Sequence, residues 1–291
     1  MGQIYAILVA SQPVMRDGAL KVKPGDIMSS TKAIFITGGG SGIGRAVAVL
    51  FASRGWHVGL ADVNAAALAE TAALLPAGRG ATHVMDVRNR DAWREALDAF
   101  VATSGGRVDV LFNNAGIAAG GTLADNSFDE IDRVVGINLM GVINGAKIGH
   151  AYLKATPGSC LLNTASAAGI YGGPGIGIYA VTKFGVRALT ESLDSEWAAD
   201  GIKVRSLMPS FIDTPLLQAG ITGSNRSVKE AVIEGGMEIT PVADVAQAAW
   251  DAVHGEKLHT LVGKTAKRLA FAARWMPGGL RKQMKARQAL R

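Results

Sequence analysis

The sequence has few of the residues that build disulfide frameworks, metal sites or highly charged surfaces. Among 291 residues there is one cysteine, Cys160, so no disulfide can form within the chain. Cys160 lies in an apolar run at residues 159–162, which predicts a buried strand residue rather than a nucleophile. The five histidines show neither H-E-x-x-H nor a paired spacing, so we predict no metal site. Charged residues make up 19% and hydrophobic residues 48%, proportions that suit the buried core of one globular domain.

The first 30 residues carry no recognisable targeting or membrane signal. The apolar run at residues 1–10 has no basic region before it and is far shorter than the roughly 20 residues that span a bilayer. The Met-Gly start does not meet the myristoylation pattern. We predict that residues 1–30 are an extension, flexible or a mis-assigned start, with a functional arm as the alternative. The expected location is cytoplasmic.

Apolar strand candidates alternate with amphipathic helical segments along the chain. The strand candidates lie near residues 33–37, 57–61, 81–85, 108–112, 159–164, 202–207 and 258–262. Most connections between the first six are long enough to hold a crossover helix, which parallel pairing requires. The pattern predicts a single-domain, Rossmann-like α/β fold at residues 31–263: a doubly wound parallel sheet of about seven strands with helices on both faces. Ligands of such sheets bind beyond the carboxyl ends of the strands.

A glycine-rich segment at residues 37–44 follows the first strand candidate and precedes a helical pattern. Gly38, Gly42 and Gly44 have no side chains, so the backbone can turn sharply and approach a pyrophosphate at the helix N-terminus. The spacing is G-x-x-x-G-x-G rather than the strict G-x-G-x-x-G. A glycine turn that merely connects the two elements is therefore the alternative.

Two acidic residues follow the next two strand candidates. Asp62 lies eighteen residues after Gly44, a spacing at which a carboxylate accepts hydrogen bonds from an adenosine ribose and repels a 2′-phosphate. Asp62 therefore favours NAD over NADP, and its alternative role is to cap a helix that begins near Asn64. Asp86 follows the third strand candidate. It is either placed to reach the adenine or is a turn aspartate.

Ser166, Tyr179 and Lys183 are candidates for acid–base chemistry. Tyr179 and Lys183 are four residues apart, so both project from the same face of a helix. A free phenol has a pKa of about 10, and the positive charge of Lys183 is expected to lower the pKa of Tyr179. Ser166 follows a strand and is placed to hold a substrate oxygen beside the phenol. The three residues together predict proton transfer to or from an alcohol or a carbonyl.

Taken together, these motifs resemble the short-chain dehydrogenase/reductase family in its shorter branch. The resemblance runs from about Lys32 to Val262. It includes T-G-x-x-x-G-I-G at residues 37–44, the pair Asp86-Val87, Asn-Asn-Ala-Gly at residues 113–116, Asn138, Ser166, Tyr179, Lys183 and residues 208–214. One departure is Ser210, where the family usually has glycine beside the nicotinamide.

The resemblance implies a catalytic tetrad of Asn138, Ser166, Tyr179 and Lys183. By resemblance, Lys183 hydrogen-bonds the nicotinamide ribose, and Asn138, in a helix predicted over residues 131–148, supports a water relay from Lys183. The implied cofactor is NAD, and the implied cofactor-binding residues are Gly38, Ser41, Gly42, Ile43, Gly44, Asp62, Asp86, Val87, Asn113, Ala115, Gly116, Tyr179, Lys183, Pro209, Ile212 and Thr214.

The function predicted from these residues is NAD-dependent interconversion of a secondary alcohol and a ketone, with Tyr179 as general acid and base. Residues 215–223, which by resemblance cover the substrate, carry few charges and so favour a hydrophobic or aromatic small molecule. One alternative is an NADP-preferring carbonyl reductase. A cofactor-sensing regulator is expected to lose Tyr179 or Lys183, and a lyase or dehalogenase is expected to lose the glycine-rich loop.

The basic residues are concentrated at the C-terminus. Residues 264–291 hold nine basic and no acidic residues, so residues 1–263 carry 21 basic and 24 acidic residues. The pattern predicts a helical tail. We favour a lid or brace as its role, and the alternatives are a contact with another subunit or with an anionic membrane surface. Nucleic-acid binding is not expected, because no recognised reading module accompanies the charge.

Two predicted helices, at residues 131–148 and 179–197, carry more apolar residues than one sheet-facing stripe requires. The resemblance implies that such helices form a homodimer or homotetramer. The residues concerned are Val134, Val135, Leu139, Val142 and Ile143 in the first helix and Phe184, Val186, Leu189 and Leu193 in the second.

Overall fold

The computed structural model describes residues 31–218, residue 220 and residues 227–289, with the backbone alone at residues 287–289. The predicted extension at residues 1–30 lies outside the described residues, and so do residue 219 and residues 221–223 of the predicted substrate-covering loop. Of the helices described, none is both long enough and apolar enough to cross a membrane.

The strands follow the predicted positions closely. They are β1 (Ala33–Thr37), β2 (His57–Asp62), β3 (Gly80–Val84), β4 (Val110–Asn113), β5 (Cys160–Thr164), β6 (Lys203–Pro209), β7 (Phe211–Ile212), β8 (Ile239–Thr240) and β9 (His259–Val262). Seven of them correspond to the seven candidates in the sequence. The two-residue strands β7 and β8, which pair with each other, were not predicted.

The helices are α1 (Gly42–Ser53), α2 (Ala65–Ala73), α3 (Arg90–Thr103), α4 (Phe128–Val135), α5 (Gly141–Lys154), α6 (Gly177–Glu196), α7 (Val228–Glu234), α8 (Val242–His254), α9 (Lys264–Trp275) and α10 (Pro277–Ala289). The helix predicted over residues 131–148 is longer than expected and is interrupted. Between α4 and α5 the chain forms a widened π-helical turn, Gly136–Met140.

The main sheet has seven strands in the order β3-β2-β1-β4-β5-β6-β9. Every neighbouring pair is parallel, so the carboxyl ends of all seven strands lie at one edge. The direction of winding reverses between β1 and β4, which is where open α/β sheets bind their ligands. The predicted doubly wound α/β fold is confirmed.

Alternate residues of each strand enter two separate cores, one on each face of the sheet. In β1, Ile34 and Ile36 pack into a cluster that includes Phe51 of α1. Phe35 points the other way, against Phe100 of α3, with ring centroids 5.3 Å apart. Because helices cover both faces, the central strands are apolar throughout rather than alternating.

Cys160 is a core residue at the start of β5, as predicted from its apolar surroundings. It is fully buried, and burial raises the pKa of its thiol to about 12. The thiolate is the nucleophilic form of cysteine, so this thiol is inert near neutral pH.

The apolar residues of the two predicted interface helices divide into two sets. Val134, Val142, Val186 and Leu193 are buried within the chain, so its own core covers these members of the set. Val181 and Phe184 of α6 are exposed by 59% and 40%. Exposed residues of this kind are available for a subunit contact.

Candidate active site

The glycine-rich loop joins β1 to α1 at the carboxyl edge of the sheet. Gly38 and Gly42 have φ values of +67° and +50°, in the left-handed region that favours glycine. A Cβ on Gly38 would lie 3.0 Å from the Cα of Ala115, so the loop packs directly on the chain that follows β4. A Cβ on Gly44 would collide with the carbonyl of Gly38. Gly42 and Gly38 thus shape the loop, and Gly44 allows α1 to pack against it.

Asp62, at the end of β2, faces the glycine-rich loop. One carboxylate oxygen accepts a hydrogen bond from the Gly40 amide (3.1 Å) and the other accepts from the Asn64 amide (3.1 Å). The cap of α2 is Asn64, whose side chain accepts from the Ala67 amide at 3.1 Å. The alternative role of Asp62 as the helix cap is therefore filled by another residue.

Asp86 follows β3 and forms an ion pair that the sequence did not predict. Its carboxylate accepts hydrogen bonds from Arg88, with the closest nitrogen at 2.6 Å. The Arg88 guanidinium holds the pKa of Asp86 below its usual range. No spacing rule pointed to Arg88, although it lies only two residues from an acid that the sequence singled out.

A cleft of about 530 Å³ opens at the carboxyl edge of the sheet, above the reversal point. It brings together most of the predicted cofactor-binding residues: Gly38, Ser41, Gly42, Ile43, Asp62, Asp86, Val87, Ala115, Gly116, Tyr179, Lys183, Pro209, Ile212 and Thr214. Gly44 and Asn113 do not line it. The Asn113 amide is buried and donates to the side-chain oxygen of Asn163 at 3.0 Å, so it braces β4 against β5 rather than facing a ligand.

Ser166 and Tyr179 meet at the inner end of this cleft. Ser166 follows β5, and its hydroxyl accepts a hydrogen bond from the Ala168 amide at 3.1 Å. Tyr179 lies in the first turn of α6, and its phenol is hydrogen-bonded to Ser166. The serine and the phenol that the sequence paired are therefore in direct contact.

Lys183 lies one turn after Tyr179 and is 4% exposed. Its ammonium group donates to the carbonyl of Thr164 at 2.8 Å and lies 5.6 Å from the centroid of the Tyr179 ring. Burial lowers the pKa of Lys183 to about 8. The lysine thus titrates near physiological pH instead of remaining a permanent cation.

The pKa of Tyr179 differs from the prediction. Burial raises it above the ordinary value, and the hydrogen bond from Ser166 opposes that rise. The expected net lowering by Lys183 was wrong for this arrangement. A charge stabilises a phenolate only to the extent that it outweighs desolvation, and here desolvation of the ring is larger.

Asn138 is buried in the π-helical turn between α4 and α5. Its side chain accepts from the amide of Ile117 at 2.8 Å and donates to the carbonyl of the same residue at 2.9 Å. A Cβ on Gly116 would lie 3.3 Å from the Asn138 oxygen and 3.7 Å from the Lys183 nitrogen. The chain at Gly116 therefore passes between Asn138 and Lys183, and all four members of the predicted tetrad lie in one region.

A second cavity, of about 950 Å³, adjoins the cleft at Ser166 and Tyr179. Both residues line both spaces. The walls of the second cavity are mainly apolar and come from the loops around residues 118–120 and 171–176 and from α7, α9 and α10. Tyr179 thus borders both the cleft and the second cavity.

Ser210, the residue that departs from the family pattern, lies between the two spaces. Its amide donates to the carbonyl of Val262 at 3.1 Å. Gly263 has φ +89°, and a Cβ there would collide with the Ser210 hydroxyl. The Ser210 side chain thus fits because Gly263 has no side chain.

The burial of Lys183 predicts a pH-dependent stability difference from the variant Lys183→Met. The lysine has a pKa of 10.5 when solvated and about 8 in the fold, so below pH 8 folding must bury a charge that the unfolded chain keeps in water. That cost disappears as pH rises from 8 to 10.5. The free energy of unfolding of the wild type should therefore rise relative to Lys183→Met by about 2 kcal/mol between pH 7 and pH 10.

Urea unfolding at a series of pH values measures this difference. Lys147→Met, which removes an exposed lysine from α5, is the control and should give a difference that changes little with pH. A constant difference between wild type and Lys183→Met would show that Lys183 titrates as it does in water.

A doubly wound parallel sheet with a Ser–Tyr–Lys cluster at its carboxyl edge defines an α/β oxidoreductase. The chain belongs to the short chain dehydrogenase family, whose sequence profile matches residues 32–223.

The relatives include enzymes that act on different compounds. A 3-oxoacyl-[acyl-carrier-protein] reductase of Thermotoga maritima is 36% identical over 190 residues, which cover 64% of this chain and 76% of the relative. A meso-2,3-butanediol dehydrogenase of Serratia marcescens is 36% identical over 183 residues, 63% of this chain and 72% of the relative. Among solved structures, a short chain dehydrogenase/reductase from Burkholderia phymatum in complex with NAD is 31% identical with a TM-score of 0.74, over 87% of this chain and 95% of that one.

Proposed function

We propose that this protein is an NAD-dependent oxidoreductase that interconverts a secondary alcohol and a ketone. The observation that carries the proposal is that Ser166 and Tyr179 line both the cleft and the second cavity. One space suits a dinucleotide and the other a substrate, and the acid–base pair lies where they meet. The names of two relatives, a butanediol dehydrogenase and an oxoacyl reductase, agree with alcohol and ketone chemistry.

In this proposal the residues of the chain bind, orient and move a proton. Ser166 holds the substrate oxygen beside Tyr179. In the oxidative direction Tyr179 takes the proton of the alcohol, and in the reductive direction it returns a proton to the oxygen that forms. A bound nicotinamide dinucleotide supplies the hydride chemistry. Because burial raises the pKa of Tyr179, the phenol is protonated at neutral pH and oxidation should speed up as pH rises.

Lys183 and Asn138 act through their neighbours. Below pH 8 Lys183 carries a charge that favours the Tyr179 phenolate when the proton is taken. Asn138 fixes the chain at Ile117 by two hydrogen bonds and so holds the backbone beside Lys183 in place. Asn138 is therefore a positioning residue, and the proposed water relay from Lys183 runs past it.

The residues of the cleft fit a dinucleotide. The glycine-rich loop presents backbone at the N-terminus of α1, where an anionic group is stabilised. Asp62 lies at the end of β2, where a carboxylate accepts hydrogen bonds from ribose hydroxyls and repels a 2′-phosphate. Arg45, the cation nearest to the loop in sequence, donates hydrogen bonds to the Gly40 carbonyl (2.6 Å) and to the Glu70 carboxylate (2.8 Å). These contacts support NAD over NADP.

We also propose that the protein is a homodimer or homotetramer. Its support is the exposed apolar surface on the helices that follow β4 and β5: Met140 is 37% exposed, and Val181 and Phe184 are more so. Apolar side chains on a helix that already packs on its own sheet are typical of a second burial surface.

The experiment that tests the proposed function is a panel of secondary alcohols and ketones assayed with NAD and with NADP. We expect turnover of apolar secondary alcohols with NAD, lower kcat/KM with NADP, and faster oxidation above pH 8. A cofactor-sensing regulator would bind NAD without turning over any member of the panel. Equal or higher kcat/KM with NADP would favour the alternative of an NADP-preferring carbonyl reductase.

A further inference from the structure

The basic C-terminal tail forms a wall of the proposed substrate cavity. Lys264, Arg268 and Leu269 of α9 and Leu280 and Met284 of α10 line the same space as Ser166 and Tyr179. The family profile matches residues 32–223, so this wall lies outside the matched segment. The two helices therefore contribute a wall that the family profile does not include.

The charges in the cavity are not balanced. Glu238 lines it and is engaged at the start of α9, where its carboxylate accepts from the Lys264 amide at 2.9 Å and lies 4.0 Å from the Lys264 ammonium. One turn later, Arg268 lines the cavity and forms no ion pair or hydrogen bond with any other residue in the part of the chain that the structure describes. The tail as a whole has nine basic and no acidic residues, so its field attracts anions towards this wall.

The size and lining of the cavity indicate how large and how apolar its ligand is. At about 950 Å³ it is at the upper end of the range typical of pockets for drug-sized ligands. A four- or five-carbon alcohol would leave most of it empty. The apolar side chains around Arg268, such as Leu269 and Leu280, suit an extended hydrocarbon part.

From these observations we infer that Arg268 recognises an anionic group, a carboxylate or a phosphate, on a large and otherwise apolar alcohol or ketone substrate. The inference rests on the proposed function, because it assigns the second cavity to the substrate. The guanidinium fits either anion, since it presents paired N–H donors to two oxygens. The apolar part of the substrate lies against α9 and α10, and its reacting carbon lies at Tyr179.

Direct binding to the full-length protein in the presence of NADH tests the inference without turnover. The probes are decanoate, decyl phosphate and 1-decanol, which share one chain length and differ in the head group. In the wild type the better of the two anions should bind about tenfold more tightly than decanol, the low end of what a hydrogen bond to a charged group contributes. The stronger anion identifies the head group as carboxylate or phosphate.

Variants of α9 assign the preference to one residue. Arg268→Met should bind all three probes within about twofold of one another, whereas Arg268→Lys should keep part of the preference for anions. Lys267→Met removes the same charge from the neighbouring position, which is exposed like Arg268 but does not line the cavity, and should keep the wild-type preference. Circular dichroism of each variant verifies that the fold is retained.

The outcomes separate this inference from the proposed function. Equal binding of decanol and both anions, no binding of any probe, or an equal loss of preference in Lys267→Met and Arg268→Met would overturn the inference. A protein that oxidises alcohols in the panel yet gives one of these results keeps the proposed function and loses the role of Arg268. A protein that shows the Arg268-dependent preference but turns over no alcohol contradicts the proposed function and keeps Arg268 only as an anion-binding residue of the cavity.

Discussion

The variant Tyr179→Phe is expected to lose at least about 99% of wild-type kcat while binding NADH with nearly unchanged affinity. The substitution removes one oxygen, the atom that Ser166 contacts and that takes and returns the proton. Positioned acid–base catalysis contributes roughly 10²–10⁴-fold to a rate, so its loss should appear in kcat. Steady-state kinetics with the best alcohol of the panel, together with fluorescence titration of NADH, measures both quantities.

The matched control is Tyr152→Phe. Tyr152, on α5, donates its phenolic hydrogen to Asp98 at 2.7 Å and lines neither binding space. Its loss should leave kcat within a factor of about two, because an exposed hydrogen bond between α5 and α3, away from both binding spaces, contributes only to stability. If Tyr179→Phe kept more than a tenth of the wild-type kcat, another group would have to move the proton.

The second large effect concerns Asp62 and the choice of cofactor. In Asp62→Ala we expect the ratio of kcat/KM with NAD to kcat/KM with NADP to fall at least about tenfold. A carboxylate and a 2′-phosphate a few ångströms apart repel each other by more than ~1.4 kcal/mol at the dielectric of a protein surface, and that repulsion disappears with the charge.

Two further variants separate charge from structure. Asp62→Asn keeps an oxygen that accepts from the Gly40 amide and removes only the charge. It should therefore lower the ratio of kcat/KM with NAD to kcat/KM with NADP nearly as much as Asp62→Ala does. Asp86→Asn removes a charge in the same cleft that Arg88 already neutralises, so its effect on the ratio should be smaller. An unchanged ratio in both Asp62 variants would show that Asp62 has only a structural role in the loop.

The sequence predicted the sheet well because each central strand is a short apolar run buried on both faces. Ile34 and Phe35 belong to different cores, and both are fully buried, so the whole of β1 is apolar in the sequence. The polar residues of the site follow these runs directly, so Asp62 and Ser166 are predicted at one edge of the sheet. Strand periodicity and the parallel connection rule are local signals of this kind.

Other features depend on contacts between distant segments, which no local pattern records. The sequence around Asn138 is that of an ordinary helix, and its π-helical turn accompanies the two hydrogen bonds that Asn138 makes to Ile117, 21 residues earlier. The pKa of Tyr179 depends on how deeply the ring is buried, which helical spacing does not give. The charge of the tail was clear from composition, but the position of Arg268 on the cavity wall follows only from the way α9 packs after β9.

The central claim is that hydride passes between the carbinol carbon of a substrate and a nicotinamide in this protein, with Tyr179 moving the proton. Its most direct test uses the best secondary alcohol of the panel, deuterated at the carbinol carbon, with mass spectrometry of the nicotinamide product. The account predicts that the NADH formed carries the deuterium and that Tyr179→Phe forms almost none. Deuterium released to water, or no reduction of NAD by any alcohol of the panel, would contradict it.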